Sequence, residues 1–207
     1  MADPPGVAVA VLAAGRGTRF GGNKLDAICA GKPVGRWVLD AVAEAGLLPG
    51  LLVLPPRPIN FARSAGGWQQ RVNPLADCGL GTSLAVAARW ALETDAAALL
   101  VTLADMPLIG PSHLRRLAAS SPLAATLYPS GRAGVPALLS RELLVQAVAL
   151  TGDEGAASLL AGAEGLALIE PTAGLLLDVD RPEDRARAEE MLLSREARAD
   201  GARVRTD

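Results

Sequence analysis

The stretch Val7-Ala-Val-Ala-Val-Leu12-Ala-Ala-Gly15-Arg-Gly17-Thr-Arg19-Phe-Gly21-Gly22-Asn-Lys24 decides how the rest of the chain is read. Its first six residues are continuously apolar, short, and bounded by Gly6 before and glycines after. That is the pattern of a strand buried on both faces. Residues 12–24 then pack four glycines and three cations into thirteen positions. Glycine lets backbone N–H groups turn inward as an anion nest, and Arg16, Arg19 and Lys24 bring the charge that a bound triphosphate would neutralise. A buried strand feeding such a loop reads as a phosphate site. It is not a P-loop, because Lys24 follows Asn23 and precedes Leu25 where that motif needs Gly-Lys and then Ser or Thr. It is not a dinucleotide fingerprint either, since the glycine spacing differs and the next acids, Asp40 and Glu44, fall inside a helical pattern. A flexible Gly-rich surface turn is the plainer alternative.

Working outward, residues 33–45 place Val34, Trp37, Val38, Ala41 and Val42 at helical spacing, with Gly46 where a C-cap belongs. Leu51–Leu54 reads as a second strand ending at Pro55-Pro56, and the polar segment up to Asn73 as a long connection. Thr82 or Ser83 is expected to cap a helix through Leu92, before a third buried strand over 97–103 that stops at Asp105-Met-Pro107. Pro111 and Ser112 open a helix to about Ala119. Short strands are expected at 124–127 and 136–139, helices from Arg141 and from about Glu154, and late strands at 166–169 and 175–179. Pro182-Glu-Asp begins a last helix with acids in its first turn, as the helix dipole prefers. The alternation predicts an α/β fold: one domain over 1–195 with a Rossmann-like, open, mostly parallel sheet and helices on both faces. A polar tail over 196–207 is expected to fray.

Half the residues are hydrophobic but only 3% aromatic, which suits helices packed closely on a sheet through small side chains. A net charge of −2 gives no general reason to expect nucleic acid or an anionic membrane as a partner. Cys29 and Cys78 lack both paired spacing and a nearby histidine, so neither a zinc site nor a disulfide framework is expected. The N-terminus has no basic leader, and the apolar residues 7–14 are too few to span a bilayer. A cytoplasmic protein is the expectation.

In open parallel sheets ligands sit beyond the carboxyl ends of the strands. That rule gathers residues 15–24, Asp105, and Asp178 with Asp180 along one edge. Taken alone, Asp105-Met-Pro reads as well as a strand-ending turn as a ligand position. Asp178 and Asp180 alternate around Val179, so one is expected to face the cleft and the other to cap the next helix, and Asp180 is the choice for the cleft. His113, in the first turn of its helix, is expected at the solvated surface.

The first stretch resembles the signature L-A-A-G-x-G-x-R-F/M-G-x-x-K of the MobA-like nucleotidyltransferases, the group that includes molybdenum cofactor cytidylyl- and guanylyltransferases. Gly79-Leu-Gly-Thr-Ser-Leu84 is similar to that family's nucleotide loop. Ala104-Asp-Met-Pro-Leu108 and Asp178-Val-Asp-Arg-Pro-Glu-Asp184 follow in the family's order, so the likeness covers residues 7–190. It implies a fold of the nucleotide-diphospho-sugar transferase type. It implies that Leu12, Ala13, Ala14, Gly15, Arg16, Gly17, Thr18, Arg19, Lys24, Gly79, Gly81, Thr82, Ser83 and Asp105 bind an NTP. Arg19, Lys24 and Asp105 would act in catalysis, Asp105 and Asp180 would hold Mg²⁺, and Arg132, Gly134 and Asp153 would meet a phosphorylated acceptor. Ala13-Ala14-Gly15 is similar to the cytidylyl branch, and the Cβ of Ala14 would crowd a purine, which favours CTP. Molybdopterin is the implied acceptor and a molybdoenzyme the implied later partner. Two positions depart from that pattern. Val135 in Arg132-Ala-Gly-Val-Pro136 stands where a polar residue is usual, and Ala157 in Gly152-Asp-Glu-Gly-Ala-Ala157 where an arginine is. A guanylyltransferase or a sugar- or alcohol-phosphate nucleotidyltransferase keeps the same fold. A non-catalytic nucleotide-binding or cofactor-delivery protein is the other class, though it would need no metal carboxylates.

Overall fold

The first strand, β1 (Val7–Leu12), lies inside a seven-stranded sheet, and its alternation divides the core. Ala10 and Leu12 point to one face; Val9 and Val11 point to the other. Both faces are therefore apolar, and both need helices. The computed structural model describes residues 6–15, 17–120 and 122–203. In chain order the elements are β1, the hairpin β2 (Ile28–Cys29) and β3 (Lys32–Pro33), α1 (Val34–Glu44), β4 (Leu51–Leu54), β5 (Gln69–Val72), α2 (Leu80–Glu93), β6 (Ala98–Leu103), α3 (Pro111–Ala119), β7 (Ala124–Leu127), β8 (Ala133–Ser140), α4 (Arg141–Ala147), α5 (Ala156–Leu160), β9 (Ala167–Ile169) and α6 (Pro182–Arg203).

The sheet order is β5-β4-β1-β6-β8-β7-β9. β1 pairs in parallel with β4 and with β6, in the second case from Val7 opposite Ala98 to Leu12 opposite Leu103. β8 alone reverses, antiparallel to both β6 and β7. The helices α2, α4 and α5 cover the Ala10 and Leu12 face, packing Leu84, Trp90, Leu144 and Leu160 on Leu51, Leu99 and Val101. The helices α1, α3 and α6 cover the other, with Val38, Leu114 and Leu192 among the buried side chains. This is the expected single α/β layer system, and it leaves the carboxyl ends of β1, β4, β6, β7 and β9 on one edge.

Three local expectations fail for physical reasons. Residues 175–179 form no strand: Leu175 and Val179 are buried, which gives the apolar signal, but Val179 N–H bonds the Asp105 carbonyl (2.8 Å) just past the end of β6. The polar connection before Asn73 contains an edge strand, β5, whose residues are half-buried or exposed and so carry no apolar run. His113 is not at the surface but 2% exposed, because α3 turns it against β7.

That histidine belongs to a relay. Thr126 Oγ donates to the Pro136 carbonyl (2.7 Å) and lies 2.8 Å from His113 Nε2. A hydroxyl has one proton, so Nε2–H must donate to Thr126, which fixes the tautomer. Burial first, and then the nearby Arg116, push the His113 pKa down to about 4, so the ring is neutral in this relay. Thr126→Val removes the hydroxyl and leaves two buried groups unsatisfied. It should cost about 1–3 kcal/mol in urea unfolding, with Thr126→Ser restoring most of it. An unchanged midpoint would mean that the relay contributes nothing.

Candidate active site

The loop after β1 is bolted down by contacts that the sequence does not advertise. Asp26 accepts hydrogen bonds from the Asn60 and Phe61 N–H groups (2.9 and 2.7 Å) and from Asn23 Nδ2 (2.7 Å). Arg57 Nη2 donates to the Gly15 carbonyl (2.6 Å). With the loop so pinned, the single 3-10 turn Lys24–Asp26 carries Lys24 inward until the residue is only 5% exposed. Its ammonium donates to Asp105 Oδ2 (2.6 Å) and Asp180 Oδ1 (2.7 Å). Burial by itself works to discharge this lysine. The carboxylates of Asp105 and Asp180 outweigh it and hold the pKa above the ordinary lysine value. The same hydrogen bond holds Asp180 below the usual carboxylate range.

Asp105 arrives from the end of β6, and Asp180 from the segment tied to it through Val179. Asp105 Oδ1 is buried without a hydrogen-bond partner, an acceptor aimed at nothing the chain provides. Asp178 sits at the margin with a solvent-facing side chain. Although solvent still reaches it, partial desolvation by the surrounding chain, and then repulsion from Asp105 and Asp180, push its pKa up to about 6. The helix cap expected of this pair comes from neither: Asp184 accepts from the Asp180 and Arg181 N–H groups (3.1 and 2.8 Å).

These groups open on a cleft of about 420 Å³. Of the residues singled out from sequence, Leu12, Ala14, Gly15, Gly17, Arg19, Lys24, Gly79, Ser83, Asp105, Asp153 and Asp180 line it, joined by Ala76, Leu80 and Leu103. Ala13 does not: it is buried on the opposite face, with its N–H on the Val53 carbonyl (2.9 Å). Arg16 and the side chain of Thr18 lie outside the described residues.

The start of α2 is built by packing. Gly79 is the N-cap, so Thr82 and Ser83 fall inside the first turn, and neither caps the helix as expected. Both are buried and receive hydrogen bonds from Asn73 Nδ2 (2.8 and 2.9 Å), and Thr82 Oγ also lies 2.9 Å from the Leu75 carbonyl. Gly81 donates to the Gly152 carbonyl (3.0 Å), and a Cβ there would fall 2.4 Å from the Glu154 carbonyl oxygen. Gly81 therefore serves close approach of the 152–154 turn, which brings Asp153 into the cleft. Arg132 and Gly134 are elsewhere, on the β7–β8 hairpin, so the three acceptor residues named from sequence do not share that cleft. Gly134 lets the Tyr128 ring lie on β8, where a Cβ would sit 2.7 Å from Cε2, and the Tyr128 hydroxyl donates to the Val135 carbonyl (2.7 Å). Burial first, then the carboxylates of Asp178 and Asp105, push the Tyr128 pKa up to about 12.

Gly81→Ala tests this reading. Overpacking against fixed backbone should lower stability by about 1–3 kcal/mol and weaken nucleotide binding with it, seen by thermal unfolding with and without nucleotide. Loss of binding at unchanged stability would make Gly81 a ligand contact instead.

A glycine loop, a lysine and two carboxylates thus meet on the carboxyl edge of an open α/β sheet, where such sheets hold their ligands. The sequence model of the MobA-like NTP transferase domain matches residues 9–168, and the chain belongs to that family of nucleotidyltransferases. Purine catabolism protein PucB of Bacillus subtilis (strain 168) is 28% identical over 186 residues, covering 84% of this chain and 91% of that protein. Among solved structures, Rv0371c of Mycobacterium tuberculosis H37Rv superposes with a TM-score of 0.76 at 26% identity, over 91% of this chain and 100% of that one. A nucleotidyl transferase from Methanothermobacter thermautotroptrophicus (Mth528) superposes with a TM-score of 0.77 at 24% identity, over 91% and 98% of the two chains, a likeness of fold. Among the described residues, no helix is long and apolar enough to cross a membrane.

Proposed function

We propose that this nucleotidyltransferase transfers CMP from CTP to a phosphorylated acceptor of the molybdopterin kind, with release of pyrophosphate and with Mg²⁺ as its metal. The observation that carries this reading is the Lys24, Asp105 and Asp180 cluster facing the glycine loop, with Asp105 Oδ1 left as an open acceptor. Among the described residues no group of three or more His, Cys, Asp or Glu side chains is arranged to hold an ion. Two carboxylates, with phosphate and water completing the shell, suit Mg²⁺. Rv0371c has been crystallised in complex with manganese, which supports a divalent ion here. Bound there, the ion would neutralise phosphate charge and favour in-line attack at the α-phosphorus.

The chain's own groups do the rest. Lys24 spends two of its three donors on the carboxylates and keeps one for a phosphate oxygen. Arg19, exposed at the cleft, offers charge to the departing pyrophosphate. Ala14 Cβ narrows the wall beside the loop, in favour of a pyrimidine. A phosphate acceptor is already anionic at neutral pH, so no histidine is needed as base. Both cysteines are free, in keeping with action in the reducing cytoplasm.

Val135 and Ala157 favour a second reading for the acceptor alone. Val135 offers no side-chain hydrogen bond, and Ala157 is exposed on α5 without charge, so another small phosphorylated molecule would serve. Pyrophosphate release from CTP, GTP, ATP and UTP with Mg²⁺, with and without molybdopterin, tests the proposal. Release with CTP that depends on molybdopterin is expected. A preference for GTP would overturn the base assignment, and no release from any NTP the enzyme assignment.

A further inference from the structure

Lys24 and Asp180 meet at 2.7 Å from segments far apart along the chain, and a second junction behind the site joins the same two segments. Shortly after Lys24 the chain enters the hairpin of β2 and β3; shortly after Asp180 it enters α6. Hairpin and helix are fastened to each other. Arg185 Nη1 donates to the Ile28 carbonyl (2.8 Å) and to Glu189 Oε2 (3.0 Å), while Glu189 Oε1 accepts from the Ala30 N–H (2.9 Å). Between them, the Cys29 thiol lies 3.7 Å from the Arg185 carbonyl.

The turn of the hairpin is what gives Glu189 its task. Ala30 has a φ of 47°, left-handed backbone that a side chain disfavours, and Gly31 follows at 81°. The Ala30 N–H therefore points out of the hairpin, and Glu189 receives it in a charge-assisted bond. Arg185 and Glu189 stand at i and i+4 on α6, so one helical turn offers a donor to Ile28 and an acceptor to Ala30. At the start of that helix Asp184 accepts from the Asp180 and Arg181 N–H groups (3.1 and 2.8 Å). A closed ring results: Lys24, hairpin, α6, Asp180, and back to Lys24.

We infer that Arg185 and Glu189, neither of which lines the cleft, are positioning residues that set the Lys24 ammonium against Asp180. The inference rests on the nucleotidyl-transfer reading for its effect on rate, and not for its geometry. An ordinary surface ion pair would contribute little, and its loss would leave Lys24 where it is. The clamp differs because both of its side chains hold the backbone that leads from Lys24.

The chain has two lysines, Lys24 and Lys32, so the ammonium signals of the lysine-labelled full chain are assigned by NMR with Lys32→Arg. In Glu189→Ala, proton exchange at the Lys24 ammonium should quicken by about tenfold, while amide exchange in β1 and β6 stays at the parental rate. With CTP, Mg²⁺ and acceptor, kcat should fall by about tenfold and KM for CTP stay within about twofold. Glu189→Gln keeps an oxygen for the Ala30 N–H and should recover most of both effects. Should Glu189→Ala fail to fold, Arg185→Ala, which frees the Ile28 carbonyl, carries the same expectation. Parental exchange at Lys24, an equal quickening throughout β1 and β6, or a raised KM at parental kcat would overturn the inference. Faster Lys24 exchange in a chain that releases pyrophosphate from no NTP leaves the clamp standing and sinks the transfer reading. Parental exchange beside ordinary transfer does the reverse.

Discussion

Asp105→Asn is expected to leave the sheet intact and to lower metal-dependent transfer by about three orders of magnitude or more. The two oxygens of Asp105 have different surroundings. Oδ2 receives the Lys24 ammonium at 2.6 Å, while Oδ1 is buried without a partner. An asparagine has one oxygen, and the ammonium, a donor only, must take it. The NH₂ group is then forced into the corner held by Oδ1, where it presents hydrogens to a cation that needs an oxygen. The loss should therefore resist rescue by raised Mg²⁺, unlike a simple fall in affinity. CTP binding in EDTA should survive, because the loop and Arg19 are untouched. Transfer rates across a Mg²⁺ series, beside calorimetric CTP binding without metal, read both effects. Near-parental activity would reduce the Asp-Met-Pro turn to a structural role.

That asymmetry of one carboxylate was not legible in the sequence, although Asp105 itself was. A continuous apolar strand with an acid just past its end needs no structure to place it on the functional edge, and β1 with its loop was legible for the same reason. What failed depends on contacts distant along the chain. Lys24 reads as one of three loop cations, and its burial between residues 81 and 156 positions away cannot be inferred from neighbours. His113 reads as a polar residue early in a helix, and only the seating of α3 on β7 turns it inward. The strand β5 is polar because it is an edge, so its signal was lost with its burial. Asp26, Arg57 and Asn73, which position the loop and α2, resemble ordinary turn residues until their partners are known. The anchoring shell, unlike the chemistry-bearing positions, lacks a compositional signature.

Lys24→Ala carries the other large effect, and it joins stability to catalysis. Turnover should fall by about two orders of magnitude or more, since a phosphate-facing cation is lost from a water-poor site. A lysine on a solvent-exposed loop would do no more than that. Lys24, however, is 5% exposed, and its removal leaves Asp105 and Asp180 facing each other without their shared counter-ion. Breaking a buried pair costs about 3–5 kcal/mol, but the Asp180 side chain is half exposed, so solvent screening brings the expectation to about 2 kcal/mol. The pH dependence has a definite sign. In the parent the lowered Asp180 pKa contributes stability that is present above the unfolded value and lost as pH falls through the folded one. In the variant that contribution is gone and mutual repulsion raises the carboxyl pKa values, so the deficit should be greatest near neutral pH and shrink as the groups protonate. Added Mg²⁺ should recover stability without recovering turnover, because a cation can neutralise the carboxylates but cannot offer an N–H to the phosphate. Urea unfolding at pH 7 and pH 5, with and without Mg²⁺, beside single-turnover transfer at saturating CTP, separates the two roles. Unchanged stability would mean that the bridge does not persist in solution, and unchanged turnover would remove Lys24 from the mechanism.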